Sequence, residues 1–465
     1  MKFCHICASI LLFFLTASLN SAQDPGQSIP AATLKEFTEE LISGKSIEYA
    51  LYGKRPIVRI PNATGDELLR RAASGKFPED DLFTHTSFVY GSYSQICRSY
   101  YIAYRVTGDQ RFAEQLRQYA RLMSWILEER PWLILPKGDR KGNESGSWSY
   151  LIPQNAATSA IFQGYVLSAR LTLQMAGTDR TIVSPEQIAE AKSFLETATR
   201  YLDILVAGDG EIDPGTGLPV QSLEIINTTP YNQSFMCYGA LGMAAAGLKD
   251  LQRLEEHKKH EDTINLYTRI VRKGIESFAK LNDVTEIDGR PYVFLSYKPH
   301  DPCVSVRDPE TRQRVPLKVD GHPVFRYPEG FGHSQSGAWY LPLLWATDEE
   351  FGVSEKLLSG LVNSYVDYLL RGKAPLEDGT VGPPSEFISP WTLKGQPDKT
   401  WKRLGRPSPV YAIYQPFNPD VVPALSELNG RAKKEMGGAI ARQYILFSHY
   451  LAAIRKNSDL LHLQR

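Results

Sequence analysis

Two short stretches of this chain set polar side chains of catalytic type at the mouth of apolar runs. In "PYNQSFMCYGALGMAAAG" (Pro230 to Gly247), Asn232 and Gln233 precede small and aromatic residues. In "RYPEGFGHSQSGAWYLPLLW" (Arg326 to Trp345), Arg326, Tyr327, Glu329, His333 and Gln335 lead into a run that contains Tyr340. Amides, an arginine, a histidine and tyrosines, with neither metal ligands nor an activated nucleophile, suit removal of a proton beside a carboxylate. β-Elimination from a uronic acid polymer is such a reaction. The C5 proton is barely acidic while the neighbouring carboxylate keeps its full charge. Hydrogen bonds from Asn232, Gln233 and Arg326 would stabilise the charge that moves onto that group in the transition state. A neutral His333 or an ionised tyrosine takes the proton, and a tyrosine hydroxyl (Tyr327, Tyr340 or Tyr231) gives one to the departing O4. The expectation is that the two stretches face each other across one cleft. The competing structural role for Asn232 and Gln233 is to cap a helix, although glutamine is a poor cap. The glycines Gly330 and Gly332 are expected to turn the backbone sharply ahead of His333.

Further candidates for substrate contact are Arg98, which shares a helix-like stretch with Tyr93 and Gln95, and Gln154 with Asn155, which open another apolar run as Asn232 and Gln233 do. Trp148 and Tyr150 just before them would make a sugar platform. Tyr231, Glu329 and Gln335 complete the set. Packing is the alternative for Arg98, as it is for most isolated arginines. No phosphate-binding loop, dinucleotide fingerprint, H-E-x-x-H or G-x-S-x-G is found. A second enzyme class, glycoside hydrolysis by two carboxylates, would draw on Asp209, Glu211, Asp213, Glu224 and Glu329. "GDGEIDPGTG" (Gly208 to Gly217) reads equally well as a solvated turn. A third reading is a glycan-binding protein without activity.

"YNQSFMCYGALG" resembles the "NNHSYW"-type helix start of the alginate-lyase-like polysaccharide lyases, a family with an α/α toroid fold. Asn232 falls on that family's second asparagine and Phe235 on its aromatic, while Gln233 stands where histidine is usual. "RYPEGFGHSQSGAWYLPLL" is similar to the family's later segment, in which an arginine precedes the catalytic tyrosine and an apolar helix follows. Arg326 matches the arginine, and His333 stands near the tyrosine's place. The resemblance implies a lyase for a glucuronate, mannuronate or mixed polymer, with Gln233 able to hold a carboxylate but not to act as a base.

Helical hairpins are needed to position these groups, and the periodicity supplies them. Ala31 to Gly44 reads as a first helix. Ser87 to Asp109 pairs with Gln110 to Glu129, and Ile152 to Gly177 with Ser184 to Leu205. Tyr231 to Leu248 pairs with His260 to Leu281, His333 to Gly352 with Ser354 to Gly372, and Ala432 to Lys456 is last. In each pair the first helix is small, apolar and aromatic with a few polar residues and the second is amphipathic and charged, which predicts an inner and an outer ring. The expected fold is all-α, an α/α toroid with short β segments in its loops. Irregular connections are expected at Pro131 to Ser149, Ala207 to Thr229, Asp283 to Pro328 and Pro375 to Asn429, with strands in "DGRPYVFLSYKP" and "GHPVFRYP". "RPSPVYAIYQPFNPD" (Arg406 to Asp420) reads as a lid or as a rigid loop.

Lysine plus arginine (52) balances aspartate plus glutamate (52), so no overall basic field calls for nucleic acid. Residues 1–22 read as an export signal, with Lys2 ahead of the apolar "ILLFFLTASL", leaving 23–465 as one catalytic domain in a secreted or periplasmic protein with no membrane attachment after signal removal. Cys97, Cys237 and Cys303 lack metal-site spacing. Cys97 and Cys237 read as small core residues. No cofactor and no metal are expected, and the partner is an anionic polysaccharide.

Overall fold

The computed structural model describes residues 39, 94–129, 152–208, 210–282, 284–287, 289–293, 305–307, 314–316, 318–319, 322–323, 331–370, 409–425 and 438–455. Helix makes up 79% of this part, so the fold is all-α. The helices are α1 (Ser94–Thr107), α2 (Gln110–Glu129), α3 (Ile152–Thr178), α4 (Pro185–Ala207), α5 (Val220–Asn227), α6 (Tyr231–Glu255), α7 (Glu261–Leu281), α8 (Phe331–Trp345), α9 (Glu355–Ser364) and α10 (Gly438–Arg455). The expected helix at Ala31 to Gly44 lies, but for Glu39, outside the described residues.

Local chemistry explains where these helices start and turn. Asp109 leads into α2 after Gly108, whose φ of 68° makes the tight turn that glycine permits. Ser184 caps α4 in a full capping box with Gln187, and Pro185 supplies a preset first φ. A single turn of 3-10 helix at Arg180–Ile182, itself capped by Asp179, joins α3 to α4.

The burial pattern separates two kinds of helix. In α6, Ser234 to Leu248 is buried without a break. In α7, the buried residues Ile264, Tyr267, Thr268, Ile270, Val271, Gly274, Ile275 and Phe278 recur at helical spacing, while the other face is solvated. Tyr231 meets Phe278 at 4.8 Å, and the ring of Tyr238 lies on Gly274, so α7 runs antiparallel to α6.

The five apolar helices run the same way. Tyr101 and Arg105 of α1 meet Arg170 and Gln174 of α3 in that order. Gln163 of α3 lines a small cavity with Gly239 of α6, and further along the same pair Arg170 and Gln174 reach Asp250. Gly239 and Gly242 of α6 receive Tyr340 and Leu344 of α8. Trp339 of α8 stacks on Phe447 of α10 at 4.8 Å, and Arg98 and Arg105 of α1 lie toward Tyr444 and Tyr450 of α10. For α1 with α3, α3 with α6, α6 with α8 and α1 with α10 the contacts ascend on both partners, which only parallel neighbours produce. The N-termini of α1, α3, α6, α8 and α10 therefore share one end of the bundle.

Three two-stranded antiparallel pairs fall in the segment before α8: β1 (Thr285–Ile287) with β2 (Arg290–Tyr292), β3 (Ser305–Arg307) with β4 (Arg314–Pro316), and β5 (Lys318–Val319) with β6 (His322–Pro323). Strands were expected in this region, and β2 and β6 fall in the two quoted stretches. Two expectations are corrected. The segment 207–229 is not wholly irregular, because α5 folds within it. Also, α9 does not pack mainly on α8 as a hairpin partner. It rests on β2, where Gly360 lets the Val293 backbone approach and its carbonyl accepts from Val293 N at 3.1 Å. Asn363 Nδ2 adds a bond to Pro291 O at 2.9 Å.

Candidate functional site

Asn232 and Gln233 stand in the first turn of α6, behind Pro230. The helix has no side-chain cap, so neither amide serves the backbone in that way. The side-chain carbonyl oxygens of Asn232 and Gln233 are both buried and without a hydrogen-bond partner. Buried acceptors left empty are costly, and native structures hold few of them. Ser234, by contrast, has its need met: its one hydroxyl proton is shared among the carbonyl oxygens of Ile225, Thr229 and Pro230, at 3.1, 3.1 and 3.3 Å, which ties the start of α6 to α5.

The relation of α6 to α8 follows from the contact of Gly239 with Tyr340. About two turns back along each helix stand Asn232 and His333. The parallel course thus brings both to the same end of the pair, at the same level. α3 joins them: about two and a half turns back from Gln163 are Gln154 and Asn155, at that end as well. Gly332, His333 and Gln335 lie within α8, which starts at Phe331, so Gly332 belongs to the first helical turn rather than to a preceding bend. Arg326, Tyr327, Glu329, Trp148 and Tyr150 lie outside the described residues, as does Tyr93.

Tyr340 is 1% exposed and lies inside the bundle. Gln163 of α3 donates a hydrogen bond from Nε2 to its hydroxyl. Arg98 of α1, 7% exposed, spreads its guanidinium 4.7 Å from the Trp339 ring and 5.1 Å from the Tyr340 ring and also bonds the Tyr340 hydroxyl. Burial lowers the Arg98 pKa, opposed by the nearby Tyr340, Tyr444 and Cys97. Tyr231 is 2% exposed, stacked on Phe235 and edge-on to Phe278. Burial pushes its hydroxyl far above the usual tyrosine value, against a weaker pull from Asn282.

A second polar cluster lies about two turns further along the same helices. Arg170 and Asp250 are paired at 3.1 Å with both side chains buried, and Gln174 links Asp250 to Arg105. Sequence reasoning passed over Gln163, Trp339, Arg170 and Asp250. The available signal was a polar residue isolated within an apolar helix, as Gln163 and Arg170 are in α3.

The acidic alternative finds a structural use for one of its members. Asp213 Oδ1 accepts from both the backbone and the hydroxyl of Thr216 at 2.7 Å, which holds a solvated turn and keeps its carboxyl below the ordinary range. The described part of the Arg406 to Asp420 segment is packed inward and is no lid: Val410 to Tyr414 are buried, and Tyr411 stacks on Tyr365 at 3.6 Å. Among the described residues no group of three metal-ligating side chains occurs, and no helix is long and apolar enough to cross a membrane. No family model, no curated protein and no solved structure matches the chain.

Proposed function

We propose that this protein is an exported polysaccharide lyase that cleaves a uronic-acid-containing polymer by β-elimination, in a site at the N-terminal end of an α/α toroid. The parallel apolar helices, each followed in α1–α2, α3–α4 and α6–α7 by an amphipathic partner, support the toroid. The observation that carries the activity is the state of Asn232 and Gln233. Their amides cap nothing and their carbonyl oxygens are empty, at the level of His333 on α8. An amide group free of structural duty can turn its NH₂ toward a substrate carboxylate and its oxygen toward a sugar hydroxyl.

In this reading Asn232, Gln233 and Arg326 hold the carboxylate and stabilise the enolate-like charge. His333 takes the C5 proton in its neutral form, and a tyrosine protonates the leaving O4. Tyr327 suits that last role better than Tyr340 or Tyr231, both of which are buried in the bundle in this state. The test is ultraviolet absorbance of the C4–C5 double bond when purified protein meets glucuronate, mannuronate and mixed polymers. Absorbance that rises with chain cleavage supports the lyase. Reducing ends without absorbance indicate hydrolysis, and binding without either indicates a non-catalytic protein.

A further inference from the structure

We infer that the β1–β2 hairpin is a detachable strap and that the turn after α9 is its catch, the two changing state together. One face of α9 and of that turn is given over to the hairpin, through Lys356, Gly360, Asn363, Ser364 and Asp367, which recur at helical spacing. Lys356 pairs with Glu286 of β1 at 2.6 Å. The Gly360 carbonyl and the Ser364 hydroxyl both accept from Val293 N, at 3.1 and 2.9 Å. Asn363 donates to Pro291 O and accepts from Arg290. Asp367 Oδ2 accepts from Arg290 Nη1 at 3.2 Å and from the Tyr292 hydroxyl at 2.8 Å.

Two features mark a strap rather than a fixed part. The contact is mostly polar and its margin is wet, with Lys356, Glu286 and Arg290 half-exposed. A two-stranded hairpin of this size is marginal by itself in water, so it keeps its shape only while docked. The second feature is the winding of Tyr365–Leu370, which is π-helix, a rare form that occurs mostly as single wide turns and often at sites of function. Before this turn the chain is fixed to the core: Asn363 accepts from Asn418, and Tyr365 stacks on Tyr411. Asp367 lies within the turn, with its side chain 3% exposed. When the hairpin leaves, its carboxylate loses a cation and a hydroxyl at once, and a buried charge deprived of its counter-ion is costly. Rewinding from i→i+5 to i→i+4 bonding relieves that cost. Residues beyond Tyr365 then swing about the helix axis by up to ~100°, one residue's step, and Asp367 reaches water. The hairpin heads the connection from α7 to α8, the helix that carries His333. The inference does not rest on the lyase reading, since the strap could move in a protein that eliminates nothing.

The test is backbone-amide relaxation dispersion on the full chain, comparing β1, β2 and residues 366–370 with α6 as the quiet reference. One exchange rate and one minor population are expected to fit the hairpin and the turn together, while α6 stays flat. Tyr292→Phe removes a hydrogen bond to a charged group and should raise that minor population on the order of tenfold, equally in both segments. Arg290→Met, at a half-exposed position, should act in the same direction and serves if Tyr292→Phe fails to fold. Dispersion confined to the hairpin, or separate rates for hairpin and turn, overturns the coupling. Flat profiles in wild type and in the variants overturn the strap itself.

Discussion

The ring of Tyr340 lies directly on the backbone of Gly239, so closely that no side chain fits between them. This contact sets the register of α8 against α6 and, through it, the level of His333 beside Asn232. Tyr340 cannot easily withdraw, because Gln163 and Arg98 hold its hydroxyl. Gly239→Ala is therefore expected to destabilise toward the upper end of the about 1–3 kcal/mol typical of overpacking. Gly242→Ala should cost less, because the side chain it meets first is the flexible end of Leu344. Urea denaturation of the two variants checks the order.

Asn232→Ala and Gln233→Ala should separate stability from activity. Each removes a buried oxygen that has no partner, so Tm is expected to hold or rise. Elimination is expected to fall by about 10²–10³-fold, the usual loss when one donor to a developing anion is removed. A large drop in Tm with unchanged kcat would assign both amides to folding alone.

How far this arrangement could be read from the chain depends on the residue. The helices were legible, because α2, α4 and α7 carry apolar residues at helical spacing. Ser184 with Gln187 announces the start of α4. The helices of the two quoted stretches, α6 and α8, pack directly on each other at Gly239 and Tyr340, while Arg326, Tyr327 and Glu329 lie outside the described residues. The burial of Tyr340 was not, since periodicity is silent in a helix that is apolar on every face. The role of Gly239 was hidden for a related reason: a glycine among alanines reads as filler until its neighbour is known. The stretch in 207–229 was read as a loop for its glycines and prolines, yet Val220–Asn227 winds into a short helix behind Pro219. Its carbonyls gain a use there, as that of Ile225 accepts from Ser234.

Arg170 and Asp250 form a pair whose members depend on each other. Asp250→Asn should cost about 3–5 kcal/mol, the usual penalty for leaving a buried charge without its counter-ion. Arg170→Met with Asp250→Leu should recover much of that loss, because an apolar pair of similar volume needs no desolvation. Chemical denaturation of the single and double variants gives the coupling directly.

Alkaline pH should open the fold cooperatively. Burial raises the phenol pKa of Tyr100, Tyr119, Tyr231, Tyr238, Tyr267 and Tyr414. A raised pKa in the folded chain means that the unfolded chain releases these protons first. The stabilisation is whole below the ordinary tyrosine value near 10 and is lost as pH climbs above it. Absorbance at the tyrosinate band is expected to show exposed tyrosines titrating normally, and these six only together with loss of helical circular dichroism. Smooth titration of all tyrosines near their ordinary value would contradict it.

Cys97 and Cys237 are both buried with no exposure, one beside Arg98 and the other in the middle of α6. In a variant with Cys303→Ser and residues 1–22 removed, they are the remaining thiols of the chain. Each can react with a bulky disulfide reagent only when its helix parts from its neighbours, so the rate of labelling becomes a clock for breathing of the bundle. Cys97 would time openings around α1, and Cys237 would time the deeper separations that α6 must undergo.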